Sequence, residues 1–259
     1  MKLTAVIREN GLSLLPLILV LLLWEVTAGY VVKDPLFLPR FSAVMSAIYT
    51  LRNLLVPDLL TSLYHFAIGL TLAFALALPL AIAMGWFRPV FKAVDPIIEI
   101  VRPIPPLAWI PLAIVWIGLN DYAAGFIIFI GAFFPILIDS YSGFRDVPRV
   151  LVETGMVLGC IGDRKLIRHV ALPYALPSIA TGTRVGMGVG WMCVVAAEMF
   201  GVGDSGLGYR LFQKFYFLHQ MDYVIAYMLV LGLLALVLDR MFRYFVEERL
   251  FRWKKGIVK

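Results

Sequence analysis

Apolar positions dominate this chain in long runs, and polar positions are confined to short stretches between them. A helix needs about 20 mostly apolar residues to cross a hydrocarbon core. Six segments meet or approach that length: Leu12–Val32, Leu59–Phe87, Ile104–Leu119, Tyr122–Ser142, Tyr174–Val202 and Tyr223–Phe242. The third is short and carries Pro103, Pro105, Pro106 and Pro111 at its entrance. Proline removes a donor from the helical ladder and clashes with the preceding turn. Such a segment is expected where protein or a water-filled cavity surrounds it. Between the first two spans, Arg40–Leu54 alternates apolar and polar positions and predicts an amphipathic helix lying at the surface.

Composition agrees with lipid as the main solvent. Of 259 residues, 61% are hydrophobic and 15% charged, against about 45–50% and about 25% in soluble domains. The net charge of +6 does not point to nucleic acid, because the basic residues sit in short loops between apolar runs. Their distribution instead sets an orientation. Lys2, Arg8, Arg88, Lys92, Arg102, Arg145, Arg149, Arg164, Lys165, Arg168 and the seven Lys and Arg from Arg240 onward fall on one side. Lys33, Arg40, Arg52, Arg210 and Lys214 fall on the other. The excess places both termini in the cytoplasm. Lys2 and Arg8 before an apolar stretch, with Val26-Thr27-Ala28 after it, also fit a cleaved signal peptide, which would leave five spans and the same C-terminal side.

Metal and disulfide chemistry find no pattern here. Cys160 and Cys193 are far apart, and His65, His169 and His219 form no ligand cluster. No tandem repeat of 20–50 residues is visible, nor matched broken helices in the two halves. A single membrane domain over residues 1–259 is expected, and its longest inner stretch, 143–173, is where a cytoplasmic partner would dock.

That stretch reads Glu153-Thr154-Gly155-Met156-Val157-Leu158-Gly159, then Val170-Ala171-Leu172-Pro173. Gly159 allows backbone angles that a Cβ opposes, and Pro173 suits the first turn of the next helix. The pattern resembles the Glu-Ala-Ala loop of binding-protein-dependent ABC importer permeases, with Thr154 and Gly155 at the two alanines and one extra residue before the proline. A second block, Asp95-Pro96-Ile97-Ile98-Glu99 into Arg102–Leu112, then Gly188–Trp191, Val195–Glu198 and Gly206-Leu207-Gly208, is similar to the nitrate/sulfonate/taurine/bicarbonate branch of that family.

The resemblance implies an all-α, six-span type I importer permease, with a five-helix core over about 59–245 and an N-terminal helix over 12–32. It implies a homodimer, two ATPase subunits, an extracytoplasmic solute-binding protein and a prokaryotic inner membrane. Glu153, Thr154, Gly155, Gly159, Arg164, Leu172 and Pro173 would belong to the coupling loop. The cargo would be a small anion such as a sulfonate, taurine, nitrate or bicarbonate, or another small organic nutrient. ATP binding by closing ATPases would pull on the two loops and open the cavity outward; hydrolysis would reset it. None of the 21 glycines is followed by lysine, so the chain lacks a GxxxxGK[ST] phosphate loop, and ATP and Mg are expected on the partner ATPase.

Ionisable groups within spans are candidates for the path. Glu198, near the outer end of the fifth span, suits a gate or an interfacial carboxylate reaching water. Arg184 suits a path cation or a side chain snorkelling to the cytoplasm. Arg102, Pro106, Trp109 and Trp191 fall in the motif blocks and are candidates for the path. Gly182, Gly186 and Gly190 recur every four residues, a spacing that lets helices approach closely, and Gly186 and Gly190 are assigned to the path with them. His65 reads as a packed polar residue; Asp139, Asp239 and Glu99 lie near inner ends. An ion-coupled secondary transporter would need a membrane-embedded relay, and an integral-membrane enzyme would need clustered catalytic groups; neither is evident.

Overall fold

The computed structural model describes residues 15–202 and 204–246. Lys2, Arg8, the start of the first predicted span at Leu12, and the basic residues beyond 246 lie outside the described residues. All regular structure among the described residues is helical. Helix α1 (Leu15–Val32) ends in a π-helical turn over Thr27–Val32. It is followed by α2 (Phe41–Trp86), α3 (Arg88–Val101), a 3₁₀ turn (Pro106–Trp109) and α4 (Ile110–Ile117). Next come α5 (Asp121–Arg145), α6 (Arg149–Val157) and α7 (Asp163–Leu166). A π turn over Ile167–Ala171 joins α7 to α8 (Leu172–Met199). The described residues finish with α9 (Leu207–Tyr209), a π turn (Arg210–Tyr216) and α10 (Met221–Arg243).

Among the described residues, five helical runs are long and apolar enough to cross a membrane, or six when α3 and the Pro106–Ile117 helix, which meet at a bend of 87°, are taken as one span. The bend falls at Arg102–Pro105, where prolines interrupt the ladder and the sequence predicted a broken entrance.

Lipid tails are as apolar as leucine, so hydrophobic transfer does not hold spanning helices together; close packing and interhelical hydrogen bonds do. The α2–α5 and α5–α8 pairs show how. Gly69, Ala73, Ala77 and Ala81 make a buried small-residue stripe along α2 facing α5. A Cβ on Gly69 would sit 2.7 Å from the Gly125 carbonyl. On α8, a Cβ on Gly182 would lie 2.9 Å from the Pro135 carbonyl, and one on Gly186 would lie 2.9 Å from the Ala132 carbonyl. Helix α5 is therefore gripped between two smooth faces. Its start is capped by Asn120, whose Oδ1 accepts from the N–H groups of Tyr122 (3.0 Å) and Ala123 (3.1 Å).

The sequence expectations need three corrections. Arg40–Leu54 is no separate surface helix: it is the start of the 46-residue α2, with Val44, Ala47 and Leu51 buried. Asp58, a carboxylate buried within that helix, is met inside the protein by Arg210 and Tyr227. The amphipathic helix is α3. Its Val90, Phe91, Val94 and Ile98 pack on the core, while Arg88, Lys92 and Glu99 are exposed on the opposite side. Finally, Pro173 stands in the first turn of α8, as the sequence predicts, but the fifth span starts earlier: helical turns run over Asp163–Met199 through the π turn before the proline.

Candidate functional site

The segment between α5 and α8 builds its shape from small residues. Helix α6 packs back on the π turn after α7, and a Cβ on Gly155 would meet Val170 Cγ2 at 2.8 Å. Leu158 closes α6, and Gly159 then takes φ +92° with open space around it. Gly162 takes the same φ of +92° and starts α7, a second left-handed turn that the motif did not reveal. Trp86 at the end of α2 donates its Nε1–H to Asp163 Oδ1 (3.1 Å), tying the segment to the bundle.

This segment holds its apolar side chains outward. Val150, Met156, Val157, Leu158 and Ile161 are exposed, the last three by 80% or more. Glu153, Thr154, Arg164 and Pro173 are exposed and Leu172 is half-buried. A run of exposed apolar residues beside cations is an unfinished surface in water.

The second cluster sits where α2, α5 and α8 meet the segment before α9. Glu198 is fully buried. Its Oε2 accepts from Ser62 Oγ (2.9 Å) and from the Gly208 N–H (2.8 Å), and its Oε1 lies 2.9 Å from His65 Nδ1. The other ring nitrogen of His65 lies 3.1 Å from Asp121 Oδ1, and Ser62 Oγ accepts the Leu207 N–H (2.9 Å). The Gly206-Leu207-Gly208 motif is the cradle for this carboxylate. Gly206 has φ +126°, and any Cβ there would stand 2.5 Å from Glu198 Oε1. Glu198 therefore does not reach water, and its role in the described structure is to join elements. Beside it, Asp58 Oδ2 accepts from Arg210 Nε (2.6 Å) and from the Tyr227 hydroxyl (2.8 Å).

The path candidates separate into two groups. Arg102 and Pro106 line a cleft of ≈ 330 Å³ with Asp139, Val185 and Val189, so the broken third span and α8 border one space. Arg184 and Trp191 line a second cleft of ≈ 400 Å³ with Gly188 and Met192. Gly186 and Gly190 instead face the interior: both are buried, Gly186 against α5 and Gly190 among Ala132, Ile128 and Phe66. Trp109 packs against the main core. Arg184 is held by Asp239 on α10, Nε to Oδ1 at 2.6 Å and Nη2 to Oδ2 at 3.0 Å, so its charge is matched within the chain. Both side chains remain partly exposed to the clefts. Trp191 donates to the Leu231 carbonyl (3.3 Å) and meets Phe66 edge-on.

Comparison with known proteins fits this arrangement. Residues 69–249 match the family of binding-protein-dependent transport system inner membrane components. An ABC transporter permease protein of Methanocaldococcus jannaschii is 46% identical, over 92% of this chain and 90% of its own. The taurine transport system permease protein of Escherichia coli is 33% identical, over 95% of this chain and 90% of its own. In structure, the chain resembles one from the inward-facing MetNI methionine ABC transporter, with a TM-score of 0.66 over 77% of this chain and 97% of that one. At 21% identity that likeness speaks for the fold. With its spans, its outward-facing interhelical segment and these relatives, the chain belongs to the inner membrane components of binding-protein-dependent transport systems, as a multi-pass ABC importer permease of the branch that includes taurine, aliphatic sulfonate and bicarbonate permeases, working with ATPase subunits and a binding protein.

Proposed function

We propose that two copies of this chain form the translocation pathway for a small anion, a sulfonate such as taurine or an anion such as nitrate or bicarbonate, delivered by a solute-binding protein. The observation that carries the reading is the exposed apolar surface of α6 and the turn after it: Val157, Leu158 and Ile161 project from a segment that Gly155 packs on its own π turn and Trp86 ties to the bundle. Such a surface suits the groove of an ATPase subunit, where ATP and Mg would bind. The basic residues Arg149, Arg164, Lys165 and Arg168 lie on the same segment, which favours a cytoplasmic position for it and for both termini.

A stripe on α8 supports a partner copy across a path. Thr181, Arg184, Val185, Gly188 and Met192 are exposed along one face of a helix whose other face is buried. Lipid disfavours the polar members of that stripe. A second protein surface with water between would accommodate them. Closure of the ATPases on ATP would move the two α6 segments, and with them the ends of α5 and α8 to which α6 is linked through residues 146–148 and through α7 with its π turn. The path needs only weak contacts, because an anion that is bound tightly within it would be released slowly.

Reconstitution tests this. The chain, its ATPase and its binding protein, placed together in liposomes, are expected to accumulate radiolabelled taurine or another small anion only with all three components and ATP inside. Uptake that continues without the ATPase would refute the reading.

A further inference from the structure

At the end of the bundle where α1 finishes and α10 begins lies a cleft of ≈ 600 Å³ that the transport reading does not use. It is lined by Lys33, Arg40, His219 and Gln220, with Asp222 as the one carboxylate among its lining residues. Volumes of this order suit a small ligand or a headgroup. Among the described residues, neither Lys33 nor Arg40 makes a side-chain hydrogen bond or an ion pair within 4.0 Å. Glu25 feels the charge of Arg40, and its own oxygens accept from the N–H and hydroxyl of Ser42. Asp34 is turned to the Leu36 N–H (2.9 Å).

The backbone supplies an independent observation. Lys33 (φ 57°) and His219 (φ 58°) are the two non-glycine residues with positive φ among the described residues, and both line this cleft. Left-handed turns ordinarily carry glycine or asparagine. Here two cation-forming side chains occupy them, and strained positions of this kind gather at binding sites.

Position narrows the ligand. Helix α1 ends at Val32 and α10 begins at Met221, so the cleft lies where two spans leave the hydrocarbon. Its neighbours Tyr30, Phe37 and Phe217 are exposed, as aromatic residues at a membrane–water interface commonly are. Basic pockets beside spanning helices take anionic headgroups, and an arginine with a lysine offers a fork and a point charge to an oxyanion.

We propose that this cleft binds an oxyanion, the phosphodiester of an anionic phospholipid, through Lys33, Arg40 and His219. A free anion in solution offers the same chemistry, and the test separates the two sources. The purified permease–ATPase complex is incubated with phosphatidylglycerol or phosphatidylcholine and examined by native mass spectrometry, with millimolar inorganic phosphate as a separate arm read by thermal melting. The parent is expected to retain phosphatidylglycerol in preference. Lys33→Asn with Arg40→Gln, in which asparagine still accepts the left-handed turn, should lose about tenfold or more of that retention. Asp222→Asn should raise it. Stabilisation by phosphate in the parent, absent from the double variant, with no preference between the lipids, would assign the same site to an anion from solution. Equal retention of the two lipids with no response to phosphate, or retention unchanged in both variants, would overturn the proposal.

Discussion

His65 Nδ1 lies 2.9 Å from Glu198 Oε1, across 133 positions of sequence, with neither side chain exposed to solvent. Through this contact and its neighbours, α2, α5, α8 and the Gly206–Gly208 turn share one carboxylate and one imidazole. This end of the bundle is joined there through buried side chains.

Glu198→Ala should therefore act first on stability. Hydrogen bonds between membrane helices average about 0.6 kcal/mol, and Glu198 meets three partners, so a loss on the order of 2 kcal/mol is expected, with more if Ser62 and His65 are left unpaired. Thermal melting of the purified complex measures it. A variant that melts with the parent while losing transport would return Glu198 to a gating role.

Gly206→Ala tests the same cradle from the other side. A methyl there meets the Glu198 carboxylate and the φ of +126° opposes any side chain. It should lower the melting point at least as far as Glu198→Gln, which keeps the shape of the side chain. Normal stability in Gly206→Ala would mean that the turn is free to move away.

The Arg184–Asp239 pair yields a directional expectation. If Arg184 assists an anion, Arg184→Gln should reduce uptake with assembly intact, whereas Asp239→Asn, which removes a bidentate partner of the guanidinium, should let it hold the anion longer and slow turnover. Initial rates over a range of substrate concentrations distinguish lowered affinity from slowed release. Parental kinetics in both variants would make the pair structural.

Orientation can be measured by cysteine accessibility. With Cys160 replaced and the buried Cys193 left in place, a cysteine at Arg164 should escape an impermeant reagent applied outside, and one at Lys214 should react. Strong outside labelling at Arg164 would reverse the topology.

The spans could be seen in the sequence because lipid leaves a run of apolar residues as its mark, and Gly159 could be seen because a left-handed turn selects glycine. The 46 residues of α2 could not be read as one helix, since Arg52, Asn53 and Asp58 imitate a break. The cost of burying Asp58 is met by Arg210 and Tyr227, 152 and 169 positions away. The same distance hid Glu198 and His65: each resembles an isolated polar residue until folding brings them together. The α3 helix is legible in the sequence, for Arg88, Lys92, Asp95 and Glu99 recur at helical spacing opposite Val90, Phe91, Val94 and Ile98. The four-residue glycine spacing of α8 marks a packing face in the sequence; the fold adds that Gly182 and Gly186 pack on α5 of the same chain.

The central claim is that the turn after α6 carries force from an ATPase to the spans, and Gly159→Val measures it most directly. Nothing lies within 4 Å of a Cβ built at Gly159, so the substitution creates no clash and acts through φ +92° alone, which a β-branched residue resists. In liposomes containing the ATPase and loaded binding protein, Gly159→Val should insert normally yet lose most of the ATP hydrolysis that the binding protein stimulates. Gly159→Asn, which tolerates a left-handed turn, should keep more of it. Full stimulation in Gly159→Val would contradict the account.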